Sequence, residues 1–115
     1  MKLLMHVLRK NDKLKIDNRI ASFEEISKKL EEEFYEVKEV ISSFQKKGNI
    51  ENLKRVISET FDLIQMCILI LWRCHKIAKD IDKPKLIEEV NIDHKDKLIT
   101  EREWIIETGI EINIK

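Results

Sequence analysis

Residues 22–48 read SFEEISKKLEEEFYEVKEVISSFQKKG, and this stretch decides the fold class. Its apolar residues recur at steps of three and four, the period of one helix face. Ser22 stands three residues before Glu25, the spacing of a capping box, so a helix is predicted to begin here. Two lysines followed by Gly48 predict its end. The apolar face comprises Phe23, Ile26, Leu30, Phe34, Val37, Ile41 and Phe44.

A second long helix is predicted from Asn49, which can cap it, to about Lys79. Between Phe61 and Trp72 this helix is apolar on nearly every side, so we expect protein to surround it there. If the chain folds back at Gly48, the two long helices are antiparallel neighbours. The apolar stripe comprises Ile50, Leu53, Ile57, Phe61, Ile64, Ile68 and Leu71.

The flanking segments are predicted to be shorter elements. Residues 1–20 form an N-terminal arm, in which residues 1–10 are a short helix or extended chain and residues 11–18 a polar loop. Beyond the long helices, Pro84 suits the first turn of a short third helix that ends near Val90.

A last helix is predicted near the C-terminus. Asp93 can cap it, Leu98, Trp104 and Ile105 lie on it, and Gly109 ends it. Residues 110–115 alternate apolar and polar, which is typical of either a small strand or a frayed tail.

Composition agrees with an all-α helical bundle of one domain, residues 1–115. Two glycines and one proline leave few turns, and a hydrophobic fraction of 43% can fill one core. A domain of 115 residues buries a limited share of its surface. We therefore expect two long antiparallel helices to be completed by shorter helices and by oligomerisation, as a homodimer or homotetramer.

The charge balance argues against two classes of partner. The 22 basic and 22 acidic residues cancel, so no strong field would draw the protein to nucleic acid or to an anionic membrane. The longest nearly apolar run is shorter than the about 20 residues of a membrane span. Cys67 and Cys74 are expected to be buried free thiols, which suit a reducing cytoplasm.

Two pairs of acids lie where apolar residues are expected. Glu33 shares the flank of Leu30 and Val37, and Glu36 follows it one turn later. On the second helix Glu59 and Asp62 are also one turn apart, and Asp62 has apolar neighbours on both sides.

A buried carboxylate without a partner is costly, so something must compensate these charges. If the helices are antiparallel, the two pairs face each other, and Mg²⁺ or Mn²⁺ would hold them together. The alternative is a solvated run of glutamates together with a buried salt bridge from Asp62 to Arg55 or Arg73.

These acids resemble the signature of a known family. Glu32-Glu33-Phe34-Tyr35-Glu36 is similar to the EExxE motif, and Glu59-Thr60-Phe61-Asp62 to the ExxD motif, of the MazG-like all-α nucleotide pyrophosphohydrolases, which are related to dimeric dUTPases and dCTP pyrophosphatases. The resemblance covers residues 29–72. A looser similarity to an HxxKLxxRxW tail involves His94, Lys97, Leu98, Arg102 and Trp104.

The resemblance implies a reaction and roles for the acids. A nucleoside triphosphate and water would give the monophosphate and pyrophosphate, which suits the removal of unwanted nucleotides. Glu33, Glu36, Glu59 and Asp62 would ligate Mg²⁺, with Mn²⁺ as a substitute. Glu32 and Glu33 are the catalytic candidates, and Glu32 would hold a further ion or help to deprotonate the water.

Three residues are candidates for holding the rest of the substrate. Lys97 and Arg102 can pair with phosphate oxygens, although both also fit an exposed helix face. Trp72 can stack on a base, although a tryptophan here also fits a core or an interface. A second function is equally compatible with a helical bundle: a catalytically silent module that senses nucleotides or binds a partner protein.

Overall fold

Helices dominate the computed structural model of the chain, which describes residues 1–114. The α-helices of this part are α1 (Phe23–Lys46), α2 (Ile50–Asp80) and α3 (Leu86–Asp96). The prediction of an all-α fold with two long helices packed together is confirmed.

Helix α1 begins as its sequence predicts. The Ser22 hydroxyl accepts the backbone N–H of Glu25 at 3.1 Å, and the Glu25 carboxylate accepts the backbone N–H of Ser22 at 3.2 Å. This capping box satisfies two donors that have no partner within the helix. The helix ends at Lys46 because Lys47 turns to an extended conformation, with φ −142°. Gly48 therefore follows the stop without adopting a left-handed conformation.

A tight turn joins α1 to α2 and is held by two asparagines. The Asn49 side chain accepts the backbone N–H of Asn52 at 2.9 Å, which confirms Asn49 as the cap of α2. The Asn52 amide then donates to the carbonyls of Lys47 at 2.8 Å and Ser43 at 3.4 Å. Each of these carbonyls also accepts a backbone N–H, Ser43 from Lys47 and Lys47 from Asn49, so the Asn52 amide adds a second bond to both. The turn thus brings α2 back along α1.

Contacts along the two long helices confirm the antiparallel arrangement. Asn52, at the start of α2, bonds to the end of α1, whereas Arg73, far along α2, lies over the ring of Phe23 at the start of α1. Glu33 and Asp62 meet between these two ends.

The N-terminal arm ends in a small hairpin rather than a plain loop. Strands β1 (Lys10–Asn11) and β2 (Ile16–Asp17) pair antiparallel, with Lys10 opposite Asp17 and Asn11 opposite Ile16. The predicted loop at residues 11–18 is wrong in this respect. Lys15 takes a φ of 55° in the turn, and the Asn11 side chain accepts the backbone N–H of Leu14 at 3.0 Å.

Residues 1–9, the arm before this hairpin, have no regular secondary structure. The predicted short helix therefore does not form there. One side chain of α2 holds the arm: the Gln65 amide donates to the carbonyl of His6 at 2.8 Å, and its oxygen accepts the backbone N–H of His6 at 3.4 Å.

Two compact units make up the chain, Met1–Lys76 and the residues from Ile77 onward. In the second unit α3 runs without a break past Val90, so the predicted short helix and separate last helix are wrong. Asp93 lies inside α3 and is not a cap, because no glycine or proline interrupts residues 86–96. Pro84 lies in the turn before α3.

A π-helical turn, Lys97–Glu101, follows α3 directly. The helix ends there because Glu103 takes a left-handed φ of 57°. Trp104, Ile105 and Gly109 therefore lie outside any helix, contrary to prediction. Residues 110–114 of the tail have no regular structure, and Lys115 lies outside the described residues.

The core between α1 and α2 is small. Ile26 and Val40 of α1 and Leu69 of α2 are buried. The expectation that protein surrounds α2 between residues 61 and 72 is wrong for this chain alone, since Ile64 and Leu71 are exposed. No helix within residues 1–114 is long and apolar enough to cross a membrane.

The two cysteines also differ from expectation. Cys67 and Cys74 are free thiols, as predicted, but both are exposed on α2 rather than buried. Their faces of α2 point away from the small core, because α1 covers one side of that helix only.

Candidate metal centre

Glu33 is the buried carboxylate of the structure. Its flanking residues Leu30 and Val37 are half-buried on the face of α1 that meets α2, and Glu33 itself is only 6% exposed. The helical period therefore carries a charged side chain into the helix interface, as its position between two apolar residues predicts.

Helix α2 supplies two more carboxylates at the same level. Glu59 and Asp62, one helical turn apart, each bring one oxygen to within 4.8 Å of an oxygen of Glu33 and of each other. Burial falls from Glu33, which is buried, through Glu59, which is half-buried, to Asp62, which is exposed. These three residues are called the acid cluster below. It is open on the side of Asp62.

Two oxygens of the acid cluster lack a hydrogen-bond partner. Glu33 Oε2 and Glu59 Oε2 are both buried from solvent, and neither accepts a hydrogen bond from the described residues. A buried ionised acceptor without a partner is destabilising, and the penalty exceeds that of a neutral group. A cation bound by these two carboxylates would offset this penalty.

The spacing of the oxygens fits a small hard cation. Opposite oxygen ligands of an octahedral Mg²⁺ are about 4.2 Å apart, since each bond is about 2.1 Å long. The 4.8 Å limit on the three oxygens of the acid cluster is close to that span, so small side-chain movements would bring them into range. The chemistry of the donor set, three carboxylates, also suits Mg²⁺ or Mn²⁺.

Glu36 borders the acid cluster without belonging to it. Its side chain is exposed, yet its pKa is raised above the ordinary value, chiefly by the hydrogen bond that its protonated form makes with Glu59 and then by repulsion from Glu33. A fourth carboxylate thus adds to the same negative field. Glu32 lies on the other side of Glu33 and is exposed, 3.4 Å from the ammonium of Lys29.

Asp62 differs from its sequence-based description. Apolar neighbours in the chain predict a buried group, but Asp62 is exposed. Burial of part of its surface is still the largest cause that raises the pKa of Asp62, followed by repulsion from Glu33 and Glu59, while Lys29 opposes the rise.

The alternative of a salt bridge from Asp62 to an arginine is wrong for the described residues. Arg55 reaches only the side-chain oxygen of Asn52, at 3.5 Å. Arg73 donates instead to the backbone carbonyls of Asn18, at 3.1 Å, and Ala21, at 2.6 Å. No ion pair of Asp62 forms within residues 1–114.

The substrate-binding candidates lie on α2 and at the π-helical turn that follows α3. Trp72 is ten residues beyond Asp62, about 15 Å along α2, and its half-buried ring has the Lys76 ammonium 4.6 Å from its centroid. Lys97 begins the π-helical turn and Arg102 follows it, both exposed in the second unit. Their roles toward a substrate stay predictions.

Lys29 is the site residue that sequence reasoning passed over. It precedes Glu32 and Glu33 by three and four residues, the spacing at which helical side chains of opposite charge meet. This spacing can be read from the sequence, but it indicates little in a helix that is rich in both lysine and glutamate. Gln65, three residues after Asp62, holds the N-terminal arm through its bonds to His6, which the sequence alone does not indicate.

Comparison of the chain with protein-family models, curated proteins and solved structures found no match.

Proposed function

We propose that this protein is a Mg²⁺-dependent nucleoside triphosphate pyrophosphohydrolase of the MazG-like kind. The observation that carries the proposal is that Glu33 and Glu59, on two different helices, each have a buried oxygen without a partner and lie together with Asp62 in one cluster. Stability alone would not favour such a group, because the charges repel. A function that needs a cation there explains it.

Four carboxylates are proposed as the ligands of the metal. Glu33, Glu59 and Asp62 would hold the metal, and Glu36 is close enough to complete the ligand set by a side-chain rotation, since it is exposed and adjoins Glu59. When bound, the metal would neutralise phosphate oxygens and lower the pKa of a coordinated water. Mn²⁺ has the same ligand preference and would substitute for Mg²⁺.

Glu32 is the acid best placed to take a proton from the attacking water. It is outside the acid cluster, its side chain is 63% exposed, and it adjoins Glu33 in the chain. A ligand-free carboxylate beside a metal site can act as a general base. Attack at the α-phosphorus would release pyrophosphate, and the open side of the acid cluster, at Asp62, leaves room for the triphosphate.

The proposal includes a homodimer or homotetramer. Exposed apolar residues follow α2 at seven-residue steps, which is the repeat of helices that pack along one another. A monomer in water would leave this stripe exposed, and burying it against a second copy would stabilise the assembly. The stripe consists of Ile50, Ile57, Ile64 and Leu71.

The direct test is pyrophosphate release from a panel of nucleoside and deoxynucleoside triphosphates with and without Mg²⁺. We expect metal-dependent release by the wild type and a loss of at least about a hundredfold in Asp62→Asn and Glu33→Gln. Glu39→Gln, an exposed glutamate of α1, is the matched control and is expected to keep full activity.

Two results would count against hydrolysis. Activity that survives Asp62→Asn unchanged would remove the acid cluster from the reaction. Nucleotide and metal binding by calorimetry, without any product, would favour the alternative of a silent nucleotide-sensing module.

A further inference from the structure

Lys29 lies beside the acids of the proposed site but has no role in the reaction described above. Its ammonium lies 3.1 Å from Oε1 of Glu33 and 3.4 Å from an oxygen of Glu32. Its side chain is half exposed, so the four-carbon stem reaches from solvent to the edge of a buried carboxylate.

Lys29 is the one cation paired with these acids in the described part of the chain. No other lysine, arginine or histidine of residues 1–114 forms an ion pair with Glu32, Glu33, Glu36, Glu59 or Asp62. A single ammonium therefore offsets the charge of several carboxylates.

The two oxygens of Glu33 have different surroundings. Oε1 forms an ion pair with the Lys29 ammonium, whereas Oε2 is buried and has no hydrogen-bond partner. A divalent cation bound through Oε2 would place a double positive charge beside the ammonium on the same carboxylate. Like charges at such a distance repel, and partial burial weakens the screening by solvent. The lysine and the metal therefore compete for Glu33.

We propose that Lys29 is an exchangeable counter-cation: it neutralises Glu33 while the site is free of metal, leaves Glu33 when a divalent cation binds, and then contacts the substrate triphosphate. This inference rests on the proposed function in its last step only. The Lys29 side chain is half exposed and flexible, so its ammonium can leave Glu33. The anion that it would then contact is the triphosphate of the bound substrate.

The proposal predicts opposite effects of one substitution. Lys29→Met removes the competitor, so the metal is expected to bind more tightly, by about fivefold or more. The same change removes a phosphate contact, so the KM for the nucleotide is expected to rise by about tenfold. A purely structural lysine would give no such split, because its loss would weaken metal binding and turnover together.

Mn²⁺ binding by the full-length protein, measured without nucleotide by calorimetry or electron paramagnetic resonance, is the first readout. Lys28→Met is the matched control, because Lys28 is the preceding residue, is exposed and pairs with no acid among the described residues. Lys29→Arg keeps the charge and is expected to bind Mn²⁺ like the wild type. Melting curves of each variant identify any that fail to fold.

The outcomes separate this inference from the proposed function. Mn²⁺ binding that is unchanged or weaker in folded Lys29→Met overturns the exchange, even if the wild type hydrolyses nucleotides. Tighter Mn²⁺ binding in Lys29→Met supports the exchange, even if the wild type releases no pyrophosphate. A wild type that binds no divalent cation overturns both.

Discussion

The guanidinium of Arg73 lies over the ring of Phe23, with its central carbon 5.2 Å from the ring centroid. The same group donates to the carbonyls of Asn18 and Ala21. Arg73 thus fastens the segment before α1 to the far end of α2. It holds the two long helices in register at one end, as Asn52 does at the other.

Arg73→Met is expected to lower the free energy of unfolding by about 1–2 kcal/mol. Two charge-assisted hydrogen bonds are lost, and their value is reduced because the site is only partly buried. Urea unfolding measures the change. Arg55→Met is the control, since Arg55 makes one long contact at an exposed position, and a change of at most about 0.5 kcal/mol is expected. Equal effects of the two substitutions would contradict the role of Arg73.

Asp62→Asn is expected to stabilise the metal-free protein slightly and to weaken its stabilisation by metal strongly. Asp62 has no ion pair to lose, and it repels Glu33 and Glu59. Removing its charge is expected to raise the unfolding free energy by up to about 1 kcal/mol. Excess Mg²⁺, at about 100 times its Kd, should raise the unfolding free energy of the wild type by about 2.7 kcal/mol. The same excess should raise the unfolding free energy of the variant much less. Thermal unfolding with and without Mg²⁺ tests both halves, and a variant as responsive as the wild type would refute the prediction.

The metal-free protein is expected to lose stability as the pH rises above about 4. The pKa values of Glu36 and Asp62 are raised in the folded state above their ordinary values of 4.5 and 3.8. An acid whose folded pKa is raised binds its proton more tightly when folded, so stability falls as the pH climbs from the ordinary value through the folded one.

Two other groups also bear on this slope. Lys29 stays charged across the interval and opposes the effect. Asp17, held in the folded state to a pKa of about 2 by its hydrogen bond to Arg19, contributes a slope of opposite sign, chiefly below pH 4. Urea unfolding at several pH values, with chelator present, measures the slope. Asp62→Asn should flatten it, and an identical slope in that variant would show that the acid cluster is not its source.

Gln65→Leu is expected to release the N-terminal arm. The amide of Gln65 makes both of the side-chain bonds that join His6 to α2, and leucine can make neither. Hydrogen–deuterium exchange of residues 1–9 should become faster, with α1 unaffected. Gln45→Leu, at an exposed position of α1, is the control. Unchanged exchange in the arm would mean that other contacts hold it.

Ile64→Lys is expected to reduce the oligomer to smaller species. Ile64 lies in the middle of the exposed stripe on α2, where a buried lysine would lose its hydration without a partner. Sedimentation or light scattering at micromolar concentration measures the mass. Ile20→Lys alters an isoleucine that is 80% exposed outside the stripe, and it should leave the mass unchanged. A wild type that is monomeric at these concentrations would contradict the proposed assembly.

Local signals in the sequence determined the two long helices. The capping box at Ser22, the Asn49 cap and the stop after Lys46 all act within one turn, so the order of residues suffices to specify them. Helical period likewise turned Glu33 toward the apolar face. The same reasoning failed after Val90, where Asp93 resembled a cap but α3 continues, because a capping residue acts only where the backbone before it leaves the helix.

Tertiary structure decided which of the acids meet and how deeply each is buried. Apolar neighbours in the sequence predicted that Asp62 is buried, yet Asp62 is exposed in the fold, and Glu33 is the buried member of the acid cluster. The choice of counter-charge was also beyond the sequence: Arg73 was a candidate for Asp62, but the segment before α1 takes its donors. Local chemistry fixed the helices, whereas the pairing of charges depended on which faces the turn at Gly48 brought together.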